Sequence, residues 1–177
     1  LRRAGIDAAL ILQHADLYYY GGIVNKAYFF IPASGDPVLL TFPGAERIRE
    51  ETKYPHIQEI ATLDQLPEIL GRLGWRSPAI LGLEGDVVPA MLHARIASLL
   101  SSSRIQDISG LIRRDRMVKS LWEIEQIQAA CRMGLEIFAF VPQVLRRQMS
   151  ELELTGQIER LSRQLGHPGF MRARGFN

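Results

Sequence analysis

Arg113-Arg-Asp-Arg-Met-Val-Lys-Ser-Leu-Trp-Glu-Ile-Glu125 divides the chain into two unlike parts. Ser120 and Glu123 within it have the spacing of a capping box. The serine hydroxyl accepts from the N–H three residues on, and the glutamate reaches back to the serine N–H. Beyond Ser120, the apolar residues Leu121, Ile124, Ile127, Cys131, Leu135 and Phe138 recur at steps of three and four. That period predicts a helix with one buried stripe. The basic run from Arg113 to Lys119 therefore marks a hinge, with one unit at 1–118 and a second at 119–177. Charge runs of this kind are usually solvated faces, and this one is read so rather than as an anion site.

The first unit alternates short apolar runs with amphipathic ones. Gly5 ends a helical tail. Ala8 to Gln13 reads as a buried strand. His14 to Gly22 follows as a loop or short helix. Tyr28 to Ala33 and Val38 to Phe42 are strands, and Ser34-Gly-Asp-Pro37 between them has turn chemistry, which predicts an antiparallel hairpin. A helix over Gly44 to Thr52 and a strand over Ile57 to Ile60 come next. Asp64 to Leu73 reads as a helix with Asp64 as N-cap and Pro67 in its first turn. Ala79 to Glu84 is a strand. Pro89 to Leu100 is a helix expected to bury Met91, Leu92, Ile96 and Leu99. Ile105 to Asp107 is a strand, and Leu111 to Val118 is helical. Strands alternating with helices after an opening hairpin predict an α/β fold, a mixed sheet with helices on its faces.

In the second unit, Pro142 lacks a donor and predicts a kink or break near Phe138 to Pro142. Ser150-Glu-Leu-Glu153 is another capping box. It opens a helix with the stripe Leu154, Ile158, Leu161 and Leu165, stopped by Gly166 and Pro168. Phe170 to Asn177 alternates and reads as a strand. Two amphipathic helices and a strand cannot close a core, so the second unit reads as a truncated domain whose apolar stripes need cover.

The composition limits what the chain can be. It has 177 residues, 47% hydrophobic, with a formal charge of +2. No basic stripe interleaved with aromatics points to nucleic acid. No apolar run spans a membrane, and no leader is visible at Leu1. Cys131 is the only cysteine, which fits a reducing, cytoplasmic setting; its place on the apolar stripe predicts a buried thiol. His14, His56, His93 and His167 stand apart from any ligand partner and read as loop or cap residues. Gly82-Leu-Glu-Gly-Asp86 closes a strand, but its spacing is wrong for a dinucleotide loop. Tyr18, Tyr19 and Tyr20 cannot all face one core. Two readings stand side by side: two packed rings and one idle at the surface, or an exposed contact surface.

These stretches, in this order, resemble the creatinase/prolidase-type "pita-bread" metallopeptidases, in particular Xaa-Pro aminopeptidases and Xaa-Pro dipeptidases. Gly5-Ile-Asp-Ala-Ala-Leu-Ile-Leu12 resembles that family's opening strand. Ala15-Asp-Leu-Tyr-Tyr-Tyr-Gly-Gly22 resembles its N-x-x-Y-x-(T/S)-G segment, with Asp16 in place of Asn and Gly21 in place of Thr or Ser. Leu81-Gly-Leu-Glu84 resembles a later strand, and Arg113 to Glu125 resembles the R-x-x-K-S-x-x-E-I junction. Gly166-His167 and Arg172 to Asn177 resemble the first strand of the catalytic domain.

The resemblance implies a creatinase N-terminal-like, three-layer α/β domain followed by two long helices that open a truncated pita-bread domain. It implies a parent enzyme with two divalent ions, Mn, Co or Zn, held by two Asp, one His and two Glu. No catalytic residue or metal ligand can be carried onto these 177 residues, and the piece alone is expected to be inactive. The resemblance further implies a homodimer and a proline-containing peptide substrate. Asp16, Tyr18, Tyr19 and Tyr20 are the candidates for a lip at the substrate entrance. The alternative is a non-catalytic dimerisation or interaction module of a pseudo-enzyme with the same architecture.

Overall fold

The computed structural model of the chain describes residues 1–44, 46–52, 54, 56–75, 78–171 and 173–175. These fall into two units. One comprises the described residues of 1–114 together with 173–175, and the other 115–171.

The first unit is built on one six-stranded sheet. Its strands are β1 (Ala8–Ile11), β2 (Ala27–Pro32), β3 (Val38–Thr41), β4 (Ile57–Glu59), β5 (Ile80–Leu83) and β6 (Arg104–Asp107), in the order β4-β3-β2-β1-β5-β6. The expected hairpin is present: β2 pairs antiparallel with β3 and also with β1. The other three pairings, β1 with β5, β5 with β6 and β3 with β4, are parallel. The sheet is therefore mixed.

Alternation along the strands feeds two cores. Ala8 and Leu10 of β1 join Phe30, Leu40, Leu81 and Leu83 on one face; Ala9 and Ile11 join Phe29 and Leu39 on the other. Helix α3 (Leu66–Arg72) and helix α4 (Ala90–Leu99) cover the first face through Leu66, Ile69, Leu70 and Ile96. Helices α1 (His14–Gly21), α2 (Glu46–Glu51) and α5 (Ser109–Met117) cover the second through Leu17, Ile48 and Ile112. The result is the expected three-layer α/β arrangement.

Some expectations fail locally. Asp64 caps nothing; it lies in a 3-10 turn, Leu63–Gln65, and binds Arg95 at 2.6 Å. Met91 is exposed. It lies five positions from the buried Ile96, about 140° round the helix and off the apolar stripe. Pro89 is the N-cap of α4 rather than its first residue.

The second unit is a helical hairpin, α6 (Leu121–Val144) and α7 (Glu151–Gln164), each opened by its capping box. Pro142 does not end α6, which runs through it to Val144. A proline two residues from the end removes one ladder bond and leaves the rest intact. The stripe of α6 is not buried: Leu121, Leu135 and Phe138 are largely exposed, and so is the Cys131 thiol expected in a core. Nothing in the hairpin supplies the second layer a stripe of that width needs. Residues 170, 171 and 173–175 form no strand. Arg172, Phe176 and Asn177, the remainder of that expected strand, lie outside the described residues. Among the described residues no helix is long and apolar enough to cross a membrane.

Candidate functional site

The parallel strands β1, β5 and β6 end side by side, and polar groups gather at their carboxyl ends. In open α/β sheets this edge is where ligands are usually taken up. The register Ala8↔Leu81 and Ala9↔Gly82, continued along the strands, sets Glu84 level with Ile11. Glu84 Oε2 then accepts from the N–H groups of Leu12, at 2.7 Å, and Gln13, at 3.1 Å. These are two donors that β1 leaves free where it stops.

Gln13 caps the next element. Its Oε1 accepts from Ala15 N and Asp16 N, which closes the first turn of α1. Asp16 is held in that first turn, where a carboxylate suits the positive end of the helix. It is fully buried, as is Glu84. Burial first, then the hydrogen bond and charge of Asp16, push the Glu84 carboxyl up to about 8. Glu84 is thus protonated at neutral pH. Its second oxygen, Oε1, meets no N–H or hydroxyl donor. Asp16 is the neighbouring carboxyl, and a proton held on Glu84 spares the buried site a second negative charge.

Arg174 completes the cluster. Its Nε lies 2.6 Å from Asp16 Oδ2, and its two terminal nitrogens grip both oxygens of Asp86, Nη2 to Oδ1 at 2.7 Å. Arg113 reaches Asp86 Oδ2 from α5 at 2.9 Å. The Arg174 fork is the main reason the Asp86 carboxyl is held down to about 2. The backbone next to Arg174 is also fixed: Gln13 Nε2 donates to Ala173 O at 2.9 Å.

A third layer orients Asp86. Its N–H donates to Ser109 Oγ at 3.1 Å, and Ser109 donates in turn to Asp107 Oδ1, which also accepts from Gly85 N. Burial opposes ionisation of Asp107, yet the Ser109 and Gly85 donors together hold its carboxyl below the usual range. The glycines here serve packing. A Cβ on Gly82 would stand 2.5 Å from Ile108 Cγ2, and one on Gly85 would stand 3.0 Å from the Asp107 carboxyl. That accounts for Gly82-Leu-Glu-Gly-Asp86 without a phosphate.

Of the four sequence candidates, the structure brings only Asp16 into this cluster. The tyrosines fan round α1. Tyr18 is about half exposed. Tyr19 and Tyr20 meet edge to face with ring centroids 5.0 Å apart, Tyr20 packs on the second core, and its carbonyl accepts from Tyr54 Oη at 2.6 Å. Sequence reasoning missed Glu84, Asp86 and Arg174 as partners. The available signal was an acidic residue closing an apolar strand beside two more parallel strands.

Chemically the cluster is saturated. Each nitrogen of the Arg174 fork donates to a carboxylate of this chain, so its in-plane hydrogen bonding is directed at Asp16 and Asp86. Among the described residues no three His, Cys, Asp or Glu side chains are grouped to hold a metal ion. Asp16, Glu84 and Asp86 are engaged by arginine and backbone donors and do not fit a dinuclear centre.

Residues 1–118 match the creatinase/prolidase N-terminal domain family. A Xaa-Pro dipeptidase of Pyrococcus furiosus is 24% identical over 163 residues, which is 91% of this chain and 45% of that protein. A creatinase of a Bacillus species is 23% identical over 164 residues, 87% of this chain and 40% of its own length. Among solved structures, an X-Pro aminopeptidase from Thermotoga maritima superposes with a TM-score of 0.80 at 26% identity, covering 93% of this chain and 49% of that one. The chain spans less than half the length of the curated relatives it matches.

Proposed function

The chain belongs to the creatinase/prolidase N-terminal domain family through residues 1–118, and from that premise we propose that it is the front part of a dinuclear-metal Xaa-Pro peptidase. That enzyme hydrolyses the peptide bond preceding proline. The observation that carries this reading is the length of the similarity. It runs for 163 residues against the Xaa-Pro dipeptidase, beyond the 118 of the family domain and so into the helical hairpin. The exposed stripe of α6 supports it as well, because a stripe of Leu121, Leu135 and Phe138 suits the core of a larger domain.

In this reading the two divalent ions, Mn, Co or Zn, are held by residues outside these 177. When bound they supply an activated water and a polarised carbonyl. The residues present here support and shape. The sheet fixes α1, α1 presents Tyr18 at its surface, and Asp16 anchors the first turn from below. A lip at the substrate entrance, with Tyr18 exposed and Asp16, Tyr19 and Tyr20 supporting it, and a homodimer through this unit belong to the same proposal. The lone, exposed Cys131 suits a cytoplasmic setting.

The test compares this chain with a longer polypeptide that carries it, each purified and supplied with Mn, Co or Zn. Proline release from a Xaa-Pro dipeptide is measured, with light scattering for mass. Turnover by the longer, dimeric protein and none by the chain alone is expected. Turnover by the chain alone overturns the division of labour. A longer protein that dimerises but neither retains metal nor turns over substrate establishes the pseudo-enzyme alternative instead.

A further inference from the structure

We propose that the crevice at the carboxyl ends of β1, β5 and β6 is a guanidinium socket, and that its ligand is the chain's own Arg174. The walls of the socket are held by contacts that do not involve the arginine. Gln13 and the backbone of β1 fix Asp16 and Glu84, while Ser109 fixes Asp86. Two carboxylates then present three acceptor oxygens in the arrangement a planar fork requires: Oδ2 of Asp16 for Nε, and both oxygens of Asp86 for the terminal nitrogens. A point-like ammonium cannot meet all three at once. Arg113 approaches Asp86 from the solvent side, with its side chain 61% exposed, against 12% for Arg174. The buried seat is therefore the one Arg174 holds.

Glu84 keeps the charge balanced. As a neutral acid it adds no second negative charge beside the Asp16 oxygen that meets Nε. The socket holds two carboxylates facing two guanidiniums. Arg174 stands 158 residues from Asp16 and 88 from Asp86. Its seating fastens residues 173–175, together with the Gln13-to-Ala173 hydrogen bond, to the edge where an open α/β sheet would otherwise take up a ligand. The edge is thus used to clamp the chain's own returning segment. This inference does not depend on which reaction the whole protein performs.

The test is chemical rescue in the full 177-residue chain. Arg174→Ala leaves the Asp16 carboxylate buried without its cation and is expected to lower the melting temperature by about 5–10 °C. Ethylguanidinium, the part of the side chain removed, at tens of millimolar is expected to restore part of that loss. Ethylammonium, with the same charge and no fork, is expected to restore less. Asp16→Asn combined with Arg174→Ala removes charge and partner together. That double variant is expected to be more stable than Arg174→Ala alone and to gain less from ethylguanidinium, which then meets only the Asp86 carboxylate. An Arg174→Ala protein as stable as the parent overturns the proposal. So does rescue by ethylammonium that equals rescue by ethylguanidinium.

Discussion

The N–H of Leu12 donates to Glu84 Oε2 at 2.7 Å across 72 residues of sequence. That bond, with its neighbour from Gln13, ties the end of β1 to the end of β5 through an acid that is neutral at pH 7. The groups facing Glu84 are Asp16 on α1 and the two N–H donors, with Arg174 behind Asp16. Its folded value of about 8 lies above the ordinary 4.5. The folded chain therefore holds an extra proton between those limits, and stability falls as pH rises through that window, by up to about 1.4 kcal/mol per pH unit. Glu84→Gln keeps an acceptor for Leu12 and Gln13 but cannot ionise. Its urea-unfolding free energy should decline less than that of the parent between pH 5 and 8. Parallel profiles for the two proteins would exclude Glu84 as the titrating group.

At the acid end the sign reverses. Asp86 is held down to about 2, chiefly by the Arg174 fork, against an ordinary 3.8. The stability it contributes is complete above the ordinary value and is lost as pH falls through the lower one. Asp86→Asn should cost most near neutral pH and progressively less as pH drops toward 3. Urea midpoints at a series of pH values check this; a constant difference between variant and parent across the series would disprove it.

Much of this architecture is legible in the residues because periodicity and capping are local. Ser120 with Glu123, and Ser150 with Glu153, form the capping boxes their spacing requires. Ser34-Gly-Asp-Pro37 gives the hairpin of β2 and β3. What escapes is whatever depends on a distant partner. Met91 satisfies a helical count but lies off the stripe fixed by Ile96. Cys131 and Leu135 have the right period for a core, yet no second layer within the hairpin covers them. The Arg174 socket is the extreme case. Its donors and acceptors come from the start, the middle and the end of the chain, and alternation alone places Arg174 on one side of an expected strand that 170, 171 and 173–175 do not form. Sheet order decides that Gln13, Glu84 and Asp107 share one edge, and order is a property of the assembled fold.

Gly82 shows how closely that edge is packed. It pairs with Ala9 and Gln106 in the middle of the parallel strands, and an added Cβ would meet Ile108 Cγ2 at 2.5 Å. Ile108 is itself buried and cannot swing into solvent. Gly82→Ala should destabilise by about 1–3 kcal/mol through overpacking. Adding Ile108→Ala should recover part of that loss, because each substitution relieves the strain the other creates. Strictly additive costs in urea unfolding would rule out the clash as the cause.

The two units should also differ in how they respond to the loss of an apolar side chain. Ile96 is fully buried between α4 and the sheet, whereas Leu135 on α6 is 68% exposed. In the 177-residue chain, Ile96→Ala should cost about 2–5 kcal/mol. Leu135→Ala should stay within about 0.5 kcal/mol, because a largely exposed leucine loses little buried area when truncated. A longer polypeptide that covers the α6 stripe reverses the second result and leaves the first unchanged. There Leu135→Ala becomes a core truncation with a cost comparable to that of Ile96→Ala. Urea unfolding of both variants in both proteins measures the contrast. Should Leu135→Ala cost more than about 2 kcal/mol in the 177-residue chain at all protein concentrations, the α6 stripe is already covered within one molecule, and the need for a larger domain to bury it disappears.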